Sequence, residues 1–190
     1  MTIDRLRRWL HRLLRTLHRV RGVAVVVENS RPDIPTARVL ERLERALALI
    51  DRWTPHYGRH LRRDLAGIVV RRYPCRGAYL MDERLALVEL TFAVHPGISE
   101  TEIAATLLHE AMHARLHALG FPAEMSDRAR QERFCRRAEI ELGRLAPGGA
   151  AVVARAERAL ELEEAEVAPE IDWSLAARRM EEADRRRPTA

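Results

Sequence analysis

The 190-residue chain contains no lysine, two cysteines and few aromatic residues, which make up 5% of it. Two cysteines are too few for a disulfide framework. No segment approaches the roughly 18 consecutive apolar residues that a membrane-spanning helix requires. Arginines interrupt every apolar run before Gly22, so the N-terminus does not resemble a secretory signal. These absences lead us to expect a cytoplasmic protein whose core is mostly leucine, valine and alanine.

Positive charge is concentrated at the N-terminus. All 33 basic residues are arginines, the acidic residues number 28, and the formal net charge is +5. Residues 1–21 hold seven arginines and one aspartate, so they carry +6 and the rest of the chain sums to −1. A nearly neutral body does not favour a nucleic-acid-binding surface across the domain. We therefore expect no nucleic-acid partner.

The basic segment has helical periodicity. Its apolar residues recur three or four positions apart, and arginines occupy the opposite face. This pattern predicts a basic amphipathic helix over 1–21. Packing of this helix on the rest of the protein is the simplest interpretation, and weak contact of residues 3–20 with a membrane surface is the alternative.

The remaining chain mixes strand and helix patterns, which predicts an α+β domain over 22–149 and a helical extension over 150–190. The predicted strands cover 23–27, 67–73, 78–82 and 85–93, the last three as an antiparallel meander. The predicted helices cover 36–53, 59–65, 99–119, 127–145, 150–166 and 171–187. Ser99 and Glu102 form a capping-box pattern at the start of the helix over 99–119, and Gly120 is a natural stop at its end.

The segment His109-Glu110-Ala111-Met112-His113 is an HExxH motif in the middle of the best-marked helix. Residues four apart share one face of a helix, so both imidazoles can reach one ion. Zinc binds neutral imidazole nitrogen and accepts tetrahedral geometry. Glu110 lies about 100° round the helix from His109, where it can act as general base toward a metal-bound water. The motif predicts a Zn²⁺ site with Glu110 as the catalytic residue.

The rest of this helix is apolar nearly all round, and the motif lies in its polar stripe. Burying two histidines and a glutamate without partners would be costly, and a metal supplies the partner. The competing interpretation is a chance pair of histidines on a surface helix. It predicts a helical interaction protein that binds no metal.

The sequence over about 67–147 resembles the zincin metalloproteases, and the HExxH motif is the specific part of that resemblance. The order of strands, HExxH helix, loop and further helix is similar to the gluzincin branch, in which a glutamate on the next helix is the third zinc ligand. The resemblance implies a zincin-like α+β fold, with a small antiparallel or mixed sheet packed on the HExxH helix and the ligand helix. It implies a zinc-dependent metallopeptidase acting on a peptide or protein, with an edge strand, here 85–93, that binds the extended substrate.

Two glutamates on the helix after the loop are candidates for the third ligand. Glu132 and Glu139 are seven residues apart, so they share a helix face. Glu132 lies 19 residues after His113, a spacing like that of thermolysin-type enzymes, and Glu139 lies 26 after it, closer to compact regulatory zincins. We favour Glu132 and expect the other glutamate to hold a ligating imidazole by its free N–H. Cys135 is expected to be a small buried hydrophobe, and His117 to hydrogen-bond Glu132.

One departure from the gluzincin pattern motivates a second hypothesis. Gluzincins carry an aspartate four residues after the ligand, and the corresponding positions here hold Arg136 and Gly143. The second hypothesis is a catalytically silent zinc-binding zincin-fold module with a regulatory or interaction role. Tyr73, Tyr79 and His95 are candidates to stabilise the oxyanion of a tetrahedral intermediate, without a motif to support any of them.

Overall fold

The computed structural model describes residues 15–121, 125–162 and 172–185. These residues form a five-stranded mixed sheet and seven helices, which confirms the predicted α+β class. The strands are β1 (Arg15–Val20), β2 (Val23–Glu28), β3 (Gly67–Arg71), β4 (Gly77–Leu80) and β5 (Leu85–Glu89). The helices are α1 (Thr36–Trp53), α2 (Pro55–Asp64), α3 (Leu90–Val94), α4 (Glu100–Ala118), α5 (Met125–Leu145), α6 (Ala150–Glu161) and α7 (Trp173–Arg185). None of these helices combines the length and the apolarity needed to cross a bilayer.

The predicted N-terminal helix is wrong over Arg15–Val20, which form strand β1. β1 pairs antiparallel with β2, and Val20 lies opposite Val23. Arg21 and Gly22 link the two strands with φ angles of +47° and +82°. Two consecutive residues with positive φ are typical of a tight hairpin turn, and glycine adopts this conformation without strain. Pairing with the apolar β2 therefore overrides the helical periodicity of this segment. The earlier part of the predicted helix lies outside the described residues.

The sheet has the strand order β1-β2-β3-β5-β4, so the predicted antiparallel meander is wrong. β2, β3 and β5 run parallel, and the two outer strands run antiparallel to their neighbours. Residues Ala86 to Glu89 of β5 are all buried, whereas the four residues of β4 are half-buried. A strand whose residues are nearly all buried is typical of the centre of a sheet, and a strand whose residues are half-buried is typical of an edge. The edge strand is therefore β4, and not the expected 85–93.

Strand β5 also ends earlier than predicted, because Glu89 caps the short helix α3. Its carboxylate accepts a hydrogen bond from the backbone N–H of Phe92 at 2.7 Å. A side chain that accepts from a first-turn N–H stabilises a helix start. The chain therefore leaves the sheet before residue 93.

Helix α4 carries the HExxH motif and lies at the centre of the fold, packed against α1, α2, α5, β4 and β5. Inward-facing residues of the central strands, including Val25, Ile68 and Val88, belong to the same core. The predicted capping box is confirmed: Ser99 Oγ accepts from the Glu102 N–H at 3.2 Å, and Glu102 Oε2 accepts from the Ser99 N–H at 2.9 Å. Packing on several sides holds the polar side chains of α4 in defined positions.

Candidate metal centre

Two histidine nitrogens and a carboxylate converge between α4 and α5. The Nε2 atoms of His109 and His113 are 3.2 Å apart, and the two oxygens of Glu132 face one nitrogen each: Oε2 lies 3.3 Å from His109 Nε2, and Oε1 lies 3.3 Å from His113 Nε2. Ligand atoms around a tetrahedral zinc ion with bonds of about 2.0–2.1 Å are about 3.3–3.4 Å from one another. The observed separations therefore fit three ligands of one tetrahedral ion, which leaves a fourth position for water or substrate.

Glu139 contacts the opposite side of the first histidine. His109 Nδ1 donates to Glu139 Oε1 at 2.6 Å, and the Glu139 residue is 1% exposed. Arg136 Nη1 and Arg155 Nη2 donate to the same carboxylate at 2.7 and 3.2 Å. When Nδ1 carries the donated hydrogen, the neutral imidazole presents the lone pair of Nε2 toward Glu132. Glu139 thus orients a candidate ligand, and the two arginines balance its charge.

The acidic side chains around the histidines favour a positive charge between them. Burial by itself would lower the pKa of His109, but hydrogen bonds with Glu132 and Glu139 raise it to about 10. Burial also opposes ionisation of Glu132, yet hydrogen bonds from His109 and His113 hold the pKa of that carboxyl well below its ordinary value. The positive charge can be a proton on His109 or a divalent cation that displaces it.

Cys135 provides a second candidate for the third ligand. Its Sγ and the ligand nitrogens of His109 and His113 all lie within 4.8 Å of one another. The side chain is fully buried, as expected, and burial raises the pKa of the thiol well above its ordinary value. Glu132 is better placed, because its oxygens lie only 3.3 Å from the nitrogens and its pKa already favours the charged form.

Glu110 lies beside the edge strand β4. Burial raises the pKa of its carboxyl group, and the neighbouring histidines His109 and His113 oppose this effect in part. A Cβ atom on Gly77 would come within 2.8 Å of Glu110 Oε1 and 2.7 Å of Thr106 Cγ2. Glycine at this position of β4 therefore allows the strand backbone to approach the carboxylate.

A cleft of about 680 Å³ opens onto this cluster between β4, α4 and α5. Tyr73 and Tyr79, two of the three candidates for oxyanion stabilisation, line it. The Tyr79 hydroxyl hydrogen-bonds His117 Nδ1 at 3.0 Å, so the structure shows this pair and not the expected contact of His117 with Glu132. His95 is on an exposed turn outside the cleft, where its Nδ1 accepts from the Gly97 N–H at 3.0 Å.

The five residues that the sequence predicts as zinc ligands or general base all line this one cleft: His109, Glu110, His113, Glu132 and Glu139. Sequence reasoning did not assign roles to Arg136, Arg155 or Gly77. The sequence could have pointed to Arg136, because it lies one turn after Glu132 on the same helix face. It could not have pointed to Arg155, because this residue reaches Glu139 from α6, which packs on α5.

Comparison with protein-family models, curated proteins and solved structures finds no match to this chain. The geometry of the cleft is therefore the basis for assigning a function.

Replacing Glu139 by glutamine is expected to weaken zinc binding by about 10–100-fold, because groups that orient a ligating histidine typically have effects of this size. The affinity can be measured by competition with a fluorescent zinc chelator. Glu141→Gln is the matched control. Glu141 is on the same helix, but its carboxylate accepts a hydrogen bond of 3.0 Å from the Tyr57 hydroxyl and is not part of the histidine cluster. Equal zinc affinity in the two variants would contradict the orienting role of Glu139.

Proposed function

We propose that the protein is a zinc-dependent metallopeptidase with a zincin-like fold. The proposed zinc ligands are His109, His113 and Glu132, and the proposed general base is Glu110. The observation that carries the proposal is the convergence of two imidazole nitrogens, 3.2 Å apart, and a carboxylate with one oxygen 3.3 Å from each nitrogen, in a cleft that also contains the buried Glu110. That arrangement supports hydrolysis, because it combines three metal ligands with a nearby carboxylate that is not one of them.

The chemistry divides between the metal and this carboxylate. Zinc, when bound, lowers the pKa of a bound water to about 7 and polarises a carbonyl group. Glu110 would take a proton from the attacking water at its carboxylate, and release it to the amine nitrogen as the peptide C–N bond breaks. The raised pKa of Glu110 suits this role, because a group that both accepts and releases a proton works best with a pKa near the working pH.

The position of β4 supports a peptide as the substrate. Its residues Gly77 to Leu80 line the cleft, and among the described residues the strand pairs on one side only, with β5. The open edge of a strand presents backbone N–H and C=O groups to which an extended peptide can add as a further strand. The Tyr79 hydroxyl on this strand is a candidate to stabilise the oxyanion.

Glu139 weakens the case for the silent alternative. That alternative was motivated by the missing gluzincin aspartate, but Glu139 supplies a buried carboxylate to His109 Nδ1. The two functions differ in one observable, which is zinc-dependent cleavage of a peptide library. Cleavage would exclude the silent module, and a zinc-loaded protein that cleaves no peptide would favour it.

Zinc content is the first test of the proposal. Elemental analysis should find about one zinc per chain in the wild-type protein and almost none in His109→Ala. His95→Ala serves as the control, because His95 lies outside the cleft. Equal and low zinc in all three proteins would overturn the proposal in favour of a helical interaction protein without metal.

Cobalt substitution decides between Glu132 and Cys135. With Glu132 as third ligand, the cobalt protein should lack a thiolate-to-metal charge-transfer band, and Cys135→Ser should leave its spectrum unchanged. Glu132→Gln should then weaken cobalt binding. A charge-transfer band in the wild-type protein that disappears in Cys135→Ser would assign the thiol instead.

Gly77→Ala is expected to reduce peptide turnover by roughly 100-fold, since the added methyl group would displace the Glu110 carboxylate and misplacing a catalytic group by about 1 Å has effects of this order. Zinc content should not change, because the three atoms nearest to an added Cβ belong to Thr106, Glu110 and Leu87, none of which is a proposed ligand. Turnover and zinc are measured on the same preparation. Gly97→Ala, on an exposed turn, is the control. Unchanged turnover in Gly77→Ala would contradict the claim that glycine at this position is needed to place the Glu110 carboxylate.

A further inference from the structure

The C-terminal helix α7 covers one end of the cleft. The ring of Trp173, its first residue, lies 5.7 Å from the ring of Tyr73. Both rings line the same cleft as Glu110 and His113. Trp173 is still 47% exposed, so its ring lies at the mouth of the cleft and not in the core.

The other end of α7 is held by ion pairs. Asp184 accepts from Arg72 Nε and Nη2 at 3.1 and 2.9 Å, and from Arg31 Nη1 at 3.3 Å. Both arginines have a second acidic partner, Glu89 for Arg72 and Asp33 for Arg31. They would remain paired if Asp184 moved away, so release of α7 leaves no unpaired arginine. Partly exposed ion pairs of this kind also contribute little to stability.

The middle of α7 is loosely packed. A second cavity of about 440 Å³ separates Ala176 and Met180 from the segment between β3 and β4, which includes Cys75. No described residue of α7 belongs to the buried hydrophobic core. The ends of the helix make the defined contacts with the cleft region: the ring contact of Trp173 at one end and the ion pairs of Asp184 at the other.

The covered end is where an extended substrate would pass. A peptide paired with the edge of β4 and continuing beyond Gly77 would run toward Tyr73, because Tyr73 lies four residues before Gly77 in the chain and both residues line the cleft. Trp173 occupies the space next to Tyr73. A polypeptide and the docked helix would therefore compete for this end of the cleft.

We propose that α7 is an autoinhibitory segment, which docks through Trp173 and Asp184 and must leave the cleft before a polypeptide substrate binds along β4. The proposal rests on the proposed peptidase function. It requires that the docked and released states of α7 are close in free energy, and the absence of α7 residues from the described hydrophobic core favours this.

The first test is Asp184→Asn in the full-length zinc protein, compared with Glu181→Gln. Glu181 is an exposed acid on the same helix and makes no ion pair within the described residues. A released helix of 13 residues is marginally stable in water, so its amides should exchange with solvent. Loss of partly exposed ion pairs predicts about a threefold to fivefold faster hydrogen exchange across residues 173–185. Peptide turnover should rise by the same factor, and Glu181→Gln should change neither quantity.

A second variant, Trp173→Ala, tests the opposite end of the helix. Loss of the ring contact is expected to increase exchange and turnover by about fivefold or more. Faster exchange with unchanged turnover would overturn the proposal, because substrate would then reach the cluster past the docked helix. Unchanged exchange in both variants would also overturn it.

Failure of the underlying peptidase function has a different signature. In that case the wild-type protein and both variants bind zinc, and none of them cleaves peptide even when α7 exchanges faster. If instead the wild-type protein cleaves peptide and both variants cleave at the same rate, the peptidase function stands and the autoinhibitory role is wrong.

Discussion

Glu110→Gln is expected to abolish peptide hydrolysis and to leave zinc binding intact. Glutamine has nearly the same shape as glutamate but cannot accept a proton at neutral pH. General acid–base groups typically contribute about 10²–10⁴-fold to rate, so turnover should fall by that factor. The ligand atoms of His109, His113 and Glu132 are untouched by the change, so about one zinc per chain should remain.

The measurement pairs turnover with elemental analysis on the same protein. Glu83→Gln, which makes the same chemical change on the exposed turn between β4 and β5, should behave as wild type. Full activity in Glu110→Gln would eliminate Glu110 as the base. Loss of zinc together with activity would instead give Glu110 a structural role in the metal centre.

Removal of zinc is expected to lower the melting temperature by about 10 °C. A ligand at about 1,000 times its Kd stabilises the folded state by about 4 kcal/mol. For domains of about 150–250 residues, each kcal/mol shifts the melting temperature by about 2–4 °C.

Scanning calorimetry with and without a chelator measures this shift. The double variant His109→Ala/His113→Ala should melt at one temperature in both conditions, because it lacks the candidate site. A wild-type protein that also melts at one temperature would contradict a metal centre coupled to folding. A chelator-dependent shift that persists in the double variant would place the metal elsewhere in the chain.

The sequence alone determined helix α4 and the relative placement of His109, Glu110 and His113. The capping residues and the helical repeat are local properties, because each depends on residues within a few positions of one another. The helix was therefore predictable to within a residue at each end, and the shared face of the two histidines followed from it.

Only the tertiary structure distinguished the positions of Glu132 and Glu139. Both lie on one face of α5, and their periodicity does not distinguish them. Packing of α5 on α4 places the Glu132 carboxylate at the Nε2 atoms and the Glu139 carboxylate at Nδ1 of His109. The spacing of residues along one helix does not indicate which of them meets a second helix at a given height.

The strand order and the cover of the cleft also depended on long-range contacts. β5 lies between β3 and β4 because its buried run needs neighbours on both sides, and β1 is a strand because β2 offers it a partner. Arg155 and Trp173 reach the cleft from α6 and α7, which follow α5 in the chain. Local periodicity indicates the type of an element and its faces. The partner of each face depends on which buried surfaces fit together across the whole fold, and for β1 this pairing overrides the local pattern.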